Sequence, residues 1–486
     1  MFKLEEATIT DIQQAVAAKK ISCRELVMLY LERIAEVDFC YGGLNSVAEI
    51  NIDALEIASM MDEERAKGRL RGSMHGIPIL IKDNILTGDG MRTTAGSLAF
   101  GDWCSMTDAI IVGSLRQQGA IPIGKTNLTE FANWMTEGMP NGYSSRGGQV
   151  FNPYNREADA SGSSTGSAVA VAANLCVASV GTETHGSIIA PSFVNGIVGI
   201  KPTAGLLSGY GIVPISSTLD TPGPMARTVR DAAILLGSMI SAGYFRGAAF
   251  SAYTAFGMYD TGNPHKDYTL GLDRASLRGL QIGVYGNPDD KDDEFNTALE
   301  AALREIESAG AIIMRNIQSV VPDSPWQYMG AAIASYEFKP CINQFLVQFN
   351  SPIQSLADII RFNEANGEKC LKYGQTTLVD CESGNYRVEY IKALARREKA
   401  INDLDGVFDN NKFDVLIGAA EHQGIAPITG FPSGTIPIGT RKNGVPVGMY
   451  FIARRFDEAG LIHAMHAAEQ LVGKRKPPTP LSPCVA

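Results

Sequence analysis

The chain has 486 residues, a formal net charge of −10 and 45% hydrophobic residues, which is an ordinary composition for a globular enzyme. Because no block of Lys and Arg offers contacts to phosphates, the charge argues against nucleic acid as the main partner. No apolar run is long enough to span a membrane, and the eight cysteines show no regular spacing. We therefore expect reduced thiols, no signal peptide, no membrane partner and a cytoplasmic location.

The first third of the chain alternates helical patterns with short apolar strands. The periodicity predicts two helices within 8–38, further helices over 52–67 and 107–118, and strands over 44–50, 76–85 and 120–123. A turn is expected at 124–127, and 138–162 has the composition of a long loop rich in Gly, Ser, Asn and Pro. Because a loop of this length inside a compact chain is usually functional, we expect it to border a site.

One lysine interrupts the apolar strand G-I-P-I-L-I-K-D-N. Lys82 either ends the strand and points to water, or is desolvated, so that its pKa falls and the neutral amine can act as a base. The continuous apolar character of the strand is typical of burial on both faces. The pattern alone leaves both interpretations open, and the exposed lysine is the more common of the two.

An almost uncharged stretch, 160–203, carries two clusters of Ser and Gly on either side of an apolar run. Small and apolar residues over 168–180 predict a buried helix that leads into a buried strand. The first cluster, S-G-S-S-T-G-S, places hydroxyls beside the free N–H groups of a helix start. The second, T-H-G-S, can present successive N–H groups to an anion. Two hydroxyl clusters on rigid elements suggest acyl-transfer chemistry.

The rest of the chain continues the alternation. Turn-rich connections are expected at 205–215 and 220–224, followed by a helix near 229–240 and an aromatic insertion over 243–270, which either covers a cleft or packs on the core. Strands are predicted at 280–284, 311–314, 414–417, 434–438 and 447–452, with helices at 293–309, through most of 326–400, and at 457–472.

These elements predict a single α/β domain, 1–486, with a large, mostly parallel mixed sheet covered by helices on both faces. Its expected parts are an N-terminal helical region, a catalytic core, the aromatic insertion, the remainder of the α/β domain and a loose tail, over 7–72, 73–235, 243–270, 271–472 and 473–486. His463 and His466 lie on one face of the last helix. They lack the further ligands that a metal needs, so we predict a partly exposed helix face there.

Three motifs together resemble the amidase signature family: Lys82 in G-I-P-I-L-I-K-D-N, Ser163 in S-G-S-S-T-G-S-A and Ser187 in G-T-E-T-H-G-S-I. The resemblance continues through 108–127, 142–154, 198–203 and 220–227, and more weakly through 430–439. It therefore covers most of the chain and implies the amidase signature fold. The G-T-E-T-x-G-S-I turn and the G-I-V-P-I-S run at 211–216 are most similar to the peptide amidase branch.

The resemblance implies a catalytic triad. Ser187 is then the nucleophile, Ser163, preceded by a cis peptide bond, is the bridging serine, and Lys82 is the base. Stabilisation of the oxyanion is assigned to backbone N–H groups of one turn: Thr184, His185, Gly186 and Ser187. The resemblance implies no metal and no cofactor, and it does not identify the residues that contact substrate.

Two positions depart from the family pattern. His185 stands where the family usually has Gly or Asp, and Ile189 stands where many members carry Arg. If only the backbone of residue 185 serves the oxyanion, the histidine is tolerated. If its side chain enters the site, it narrows the pocket or donates a hydrogen bond whose strength depends on pH. The missing Arg puts in doubt a substrate whose carboxylate would be held there.

The implied function is that of a serine amidohydrolase, which cleaves linear carboxamides or aryl or peptide amides through an acyl-enzyme. One alternative is the A subunit of a glutamyl-tRNA amidotransferase, which uses the same triad but needs a partner chain. The other is an inactive ligand-binding protein on the same scaffold. We expect a small amide as the substrate and a monomer or homodimer, while the preferred acyl and amine groups depend on loops that the sequence does not place.

Overall fold

The structure is a computed structural model, which describes residues 2–240, 267–285, 292–317, 324–418 and 424–479. The strands within these ranges are β1 Val47–Ile50, β2 Pro78–Lys82, β3 Ile121–Thr126, β4 Tyr143–Ser144, β5 Gly148–Gln149, β6 Ala178–Glu183, β7 Val198–Lys201, β8 Thr221–Ala226, β9 Gln281–Tyr285, β10 Ile312–Ile317, β11 Val415–Gly418, β12 Ser433–Thr440 and β13 Pro446–Ile452.

Eleven of these strands form one sheet in the order β1-β3-β2-β6-β8-β7-β12-β13-β11-β9-β10, and β4 and β5 form a separate hairpin. The α/β class and the large mixed sheet are confirmed. Parallel pairing does not dominate, however, because only four neighbouring pairs are parallel, β2 with β3 and β6, and β9 with β10 and β11. The other six pairs are antiparallel.

The sheet has helices on both faces, as expected. Side chains of a strand alternate between faces, and along β11 Val415 and Ile417 join one hydrophobic cluster while Leu416 joins the other. The first cluster includes Leu461 of the C-terminal helix, and the second includes Leu404 of a long helix that precedes β11. The central strands are therefore buried on both sides.

Many helices begin where the sequence places them. The second helix starts with a capping box of Ser22 and Glu25, as its sequence predicts. The first is capped by Thr8 with Asp11, and not by Thr10, the residue expected from its place directly before Asp11. The longer helices are Ile9–Ala17, Cys23–Val37, Ala54–Ala66, Ile110–Gln117, Thr165–Ala172, Val229–Met239, Asp293–Ser308, Ala331–Gln348, Leu356–Ala365, Thr376–Ser383, Arg387–Asn411 and Glu458–Val472. The shorter ones are Leu98–Phe100, Glu130–Asn133, Ile189–Val194, Leu272–Arg274, a π-helical turn Trp326–Gly330, Gly367–Cys370 and Ile425–Thr429.

Two predicted turns are strands. The expected turn at 124–127 is largely the end of β3, and the D-T-P-G-P run forms most of β8 at the centre of the sheet. Its prolines misled the prediction because proline cannot donate to a sheet ladder. They are accommodated because β7 pairs with β8 only at Met225 and Ala226, beyond Pro222 and Pro224.

The predicted loose tail is partly anchored. The side chain of Arg475 is 11% exposed and donates to Glu6, to the carbonyl of Gly196 and to that of Ala172. It ties the start of the chain to its end because its guanidinium satisfies acceptors from separate elements. Most of the aromatic insertion, 243–266, lies outside the described residues, and so do 480–486 of the tail.

Two further observations concern the cysteines and the lengths of the helices. Six of the described cysteines are free thiols. Cys40 is disulfide-bonded, which corrects the expectation that all thiols are reduced. Across the described ranges, no helix is both long and apolar enough to cross a membrane.

Candidate active site

Lys82 lies at the end of β2 and is completely buried. Its amine nitrogen is 2.8 Å from Ser163 Oγ, 2.9 Å from Ser164 Oγ and 2.9 Å from Thr182 Oγ1. The carbonyl of Thr182 is 3.3 Å away. The structure thus resolves the two sequence-based interpretations in favour of a lysine inside the protein, surrounded by hydroxyl groups.

The surroundings of Lys82 favour its neutral form. Burial lowers the pKa of Lys82 from its usual 10.5 to about 7, against the opposing influence of the negative charges of Asp220 and Glu183. Desolvation penalises a charged amine more than hydroxyl partners can compensate. A substantial fraction of the amine is therefore unprotonated near neutral pH and able to accept a proton.

Ser163 is held in the turn that opens the helix Thr165–Ala172. A cis peptide bond joins Gly162 to Ser163, as the resemblance implied. The carbonyl of Ser163 accepts the N–H of Thr129 at 3.1 Å. With no solvent exposure of Ser163, its hydroxyl is oriented by contacts inside the protein, above all by the one to Lys82.

Ser187 lies in the turn between β6 and the helix Ile189–Val194, and its carbonyl accepts the N–H of Ser164 at 3.2 Å. This hydrogen bond places the two serine-bearing turns side by side. Oε2 of Glu183 accepts the N–H groups of Ile188 and Ile189, at 2.8 and 3.1 Å. The carboxylate thereby supplies an acceptor for two N–H groups that have no partner within the helix at its start.

The turn before Ile188 contains backbone N–H groups that can bind an anion. Within the described ranges, the backbone N–H groups of Gly186 and Ser187 donate no hydrogen bond. Gly186 has a φ of 78°, a left-handed conformation that suits glycine. Successive unengaged N–H groups in such a turn form an anion-binding concavity.

A cleft of about 490 Å³ opens beside Ser187. Its wall includes the imidazole of His185, whose ring centroid lies 4.5 Å from that of Trp326, and Trp326 in turn meets Trp134 edge to face at 5.8 Å. The side chain of His185 therefore faces the cleft and packs on an aromatic ring. Glu137 and Asp380 also line the cleft, and its described lining contains no Lys or Arg.

The structure brings most of the sequence-predicted residues together. Lys82 and Ser163 are in contact, and the turn 184–187 lies at the cleft beside them. Ile189 is buried, and its N–H is bound by Glu183. The two histidines of the last helix have separate partners, since His463 Nε2 is 2.8 Å from the carbonyl of Leu270 and His466 lies beside Glu469.

Sequence reasoning missed three contributors to the site. Thr182 contacts Lys82, Trp326 lines the cleft and Asp220 binds the side chain of Thr184. Thr182 stands in the quoted G-T-E-T motif and Asp220 in the quoted D-T-P-G-P motif, so both could have been singled out. Trp326 carries no such signal, because only the fold brings the 326–348 helical segment to the cleft.

Comparison with known proteins adds a family assignment. The family model named Amidase matches residues 25–424. A probable amidase of Arabidopsis thaliana is 36% identical over 490 residues, covering 98% of this chain and 92% of the relative.

Solved structures show the same fold. The native peptide amidase of Stenotrophomonas maltophilia has a TM-score of 0.90 and 37% identity, with 99% of each chain covered. The glutamyl-tRNA(Gln) amidotransferase of Thermotoga maritima has an A subunit with a TM-score of 0.69 and 26% identity, covering 100% of this chain and 99% of its own. The similarity is therefore greater to the peptide amidase than to the amidotransferase subunit.

Proposed function

The chain belongs to the amidase family and is an amide-hydrolysing enzyme, and we propose that it is a serine amidohydrolase that works through an acyl-enzyme on Ser187. The substrates are linear carboxamides, with aryl and peptide amides as the favoured classes. The observation that carries this proposal is the buried amine of Lys82, 2.8 Å from Ser163 Oγ and with a pKa lowered to about 7. A serine needs such a proton acceptor before it becomes a nucleophile.

The proton path follows from this contact. Ser187 Oγ attacks the carbonyl carbon of the amide, its proton passes to Ser163 Oγ, and the proton of Ser163 passes to Lys82 Nζ. When the C–N bond breaks, Ser163 returns a proton to the leaving nitrogen and recovers one from Lys82. Water then attacks the acyl ester while Ser163 and Lys82 accept its proton, and the two groups return that proton to Ser187 Oγ when the ester C–O bond breaks.

The negative charge of the tetrahedral intermediate needs fixed donors. The proposed donors are backbone N–H groups of the turn: Thr184, His185, Gly186 and Ser187. The absence of competing acceptors for Gly186 and Ser187 in the described structure supports this role. Donors that are already oriented cost no reorganisation when the charge develops, and each contributes about 3 kcal/mol to such a reaction.

The cleft supports the choice of substrate class. A volume of about 490 Å³ admits a group larger than a simple aliphatic amide, and the rings of Trp134, Trp326 and His185 offer surfaces for an aromatic or peptide moiety. The likeness to a peptide amidase, which exceeds the likeness to an amidotransferase subunit, points the same way. Release of ammonia from glutamine with a partner chain is the second candidate.

The test is hydrolysis by the isolated chain against four amides: an aryl acetamide, an aliphatic amide, a peptide C-terminal amide and glutamine. We expect turnover of the peptide or aryl amide, and a loss of at least about 1,000-fold in kcat for Lys82→Met. Lys125→Met is the matched control. Lys125 is equally buried, its pKa is also lowered by burial, and it donates to the carbonyl of Ile85 and to Thr93 outside the cleft.

The outcomes separate the candidates. Hydrolysis that survives Lys82→Met would refute the proposed base. Hydrolysis of glutamine alone, increased by a partner, would favour the amidotransferase. A folded chain that hydrolyses none of the four and yet binds them would favour the inactive scaffold.

A further inference from the structure

Asp220 connects the turn that carries Ser187 to a neighbouring loop. Its Oδ1 accepts the hydroxyl of Thr184 at 2.5 Å, and its Oδ2 accepts the N–H groups of Ile215 and Ser216 at 2.7 and 2.9 Å. Both oxygens are thus engaged by groups from two segments of the chain. Thr184 is the first residue of the turn 184–187, so Asp220 fixes the end of that turn opposite Ser187.

Asp220 also lies near Thr182, a residue that contacts Lys82. Asp220, Thr184 and Thr182 line the same internal cavity of about 20 Å³, and Thr182 Oγ1 is a hydrogen-bond partner of Lys82. Asp220 and Glu183 are the two negative groups that raise the pKa of Lys82 against the effect of burial, and the influence of Asp220 is the larger.

The loop that holds Asp220 is anchored from the helical wall of the cleft. Glu337 accepts the hydroxyl of Ser216 at 2.5 Å, and it accepts the N–H of Thr218 at 3.0 Å and its hydroxyl at 2.6 Å. The hydroxyl of Tyr390 also donates to Glu337, at 3.0 Å. The carboxylate of Glu337 therefore links the loop at Ser216, 121 residues earlier in the chain, to the helical wall of the cleft.

We propose that Asp220 is a positioning residue of the hydrolysis, which fixes the Thr184 end of the nucleophile turn and acts on Lys82 through its charge. The role rests on the proposed function, since it assumes that Lys82 is the base. It combines two effects that substitutions can separate. A misplaced turn slows the chemical step, and a lost negative charge makes the ammonium form of Lys82 less stable.

The test compares three variants by their pH profiles of kcat/KM and by kcat and KM at the optimum. Asp220→Asn is expected to lower kcat about tenfold with KM within about threefold, and to move the acid limb about one pH unit lower. The sign follows because loss of the carboxylate lowers the pKa of Lys82, so the amine is neutral at lower pH. Thr184→Val keeps the carboxyl group, although loss of the Thr184 hydroxyl raises the pKa of Asp220. This variant is expected to lower kcat while moving the limb less than Asp220→Asn does.

Asp231→Asn is the matched control. Asp231 is a buried aspartate whose pKa desolvation raises to about 6, as it does for Asp220, and it accepts the N–H of Ile9 away from the cleft. This variant is expected to leave the acid limb in place. An unshifted limb in Asp220→Asn, with a loss of kcat no larger than in Asp231→Asn, would show that Asp220 is only structural.

A second readout does not need turnover. Titration of the Lys82 side chain by NMR of ¹³Cε-labelled lysine, assigned with Lys82→Met, is expected to give a midpoint about one pH unit lower in Asp220→Asn. An unchanged midpoint would overturn the electrostatic role even if the variant is slow. An inactive natural chain would refute the proposed function, while this titration would still decide the link between Asp220 and Lys82.

Discussion

The Lys82→Met variant is expected to be more stable than the natural chain at neutral pH. The reason is that the natural chain buries an amine that is protonated, and stabilised by hydration, when it is exposed to water. The difference between the usual pKa of 10.5 and the value of about 7 corresponds to about 5 kcal/mol. Methionine removes that cost but deprives Ser163, Ser164 and Thr182 of a hydrogen-bond partner, at about 1 kcal/mol each. The net gain in the free energy of unfolding is about 2 kcal/mol.

The pH dependence gives this prediction its sign. Between about pH 7 and 10.5 the unfolded chain binds a proton at Lys82 that the folded chain has released, so the stability of the natural chain rises with pH at about 1.4 kcal/mol per unit. The stability of the variant lacks this pH-dependent contribution. Its advantage is therefore complete below pH 7 and decreases above it, and the order of stabilities reverses by about pH 9.

Urea unfolding of both proteins at pH 6, 7, 8 and 9 measures the difference. Lys125→Met serves again as a comparison, because its amine is buried too but lies outside the cleft. A difference between the natural chain and Lys82→Met that is the same at pH 6 and pH 9 would show that Lys82 stays protonated in the folded state. The mechanism would then lose its base.

Three further predictions concern pH, charge and the tail. The acid limb of kcat/KM is expected near pH 7, with a tenfold fall per unit below it, because only the neutral form of Lys82 accepts a proton; a limb near pH 4 would contradict this. Glu137 and Asp380 line the cleft, and no described Lys or Arg does. A cationic peptide amide should therefore have a higher kcat/KM than its neutral analogue, and Asp380→Asn should reduce that preference about threefold. An unchanged ratio of the two kcat/KM values would exclude the charge effect. Arg475→Ala is expected to lower the free energy of unfolding by about 2 kcal/mol or more at pH 7, as measured by urea unfolding. Burial alone would raise the pKa of Glu6, but its hydrogen bonds and its charge interaction with Arg475 lower it. The stabilisation by this pair is therefore present above about pH 4.5 and lost as the pH falls through the lowered pKa. Equal decreases in the free energy of unfolding for Arg475→Ala at pH 3 and pH 7 would contradict this.

The sequence was most informative where chemistry and local structure coincide. Lys82, Ser163 and the turn around Ser187 stand in short motifs, each at the end of a strand or the start of a helix, so their neighbourhood could be expected before the fold was known. The contacts of Asp220 could not, because they join the loop at Ile215 and Ser216 to the turn that follows β6, through the order of the sheet. The D-T-P-G-P run predicts a turn from its sequence and forms a strand in the structure, since the local effect of proline gives no information about which side of a strand lacks a paired neighbour.

The departure at His185 bears on the inactive-scaffold alternative. The hydrogen bonds of Lys82 go to Ser163, Ser164 and Thr182, and none goes to the imidazole, so the histidine does not displace the proposed base from its serine. Its ring instead packs on Trp326 and forms part of the cleft wall. A residue that shapes the wall changes which amides fit rather than whether Ser187 can be activated. We therefore expect His185→Gly to widen the range of acyl groups accepted in the four-amide assay while the Lys82-dependent acid limb stays in place, and a variant that moved the limb would assign the imidazole a part in the proton transfer instead.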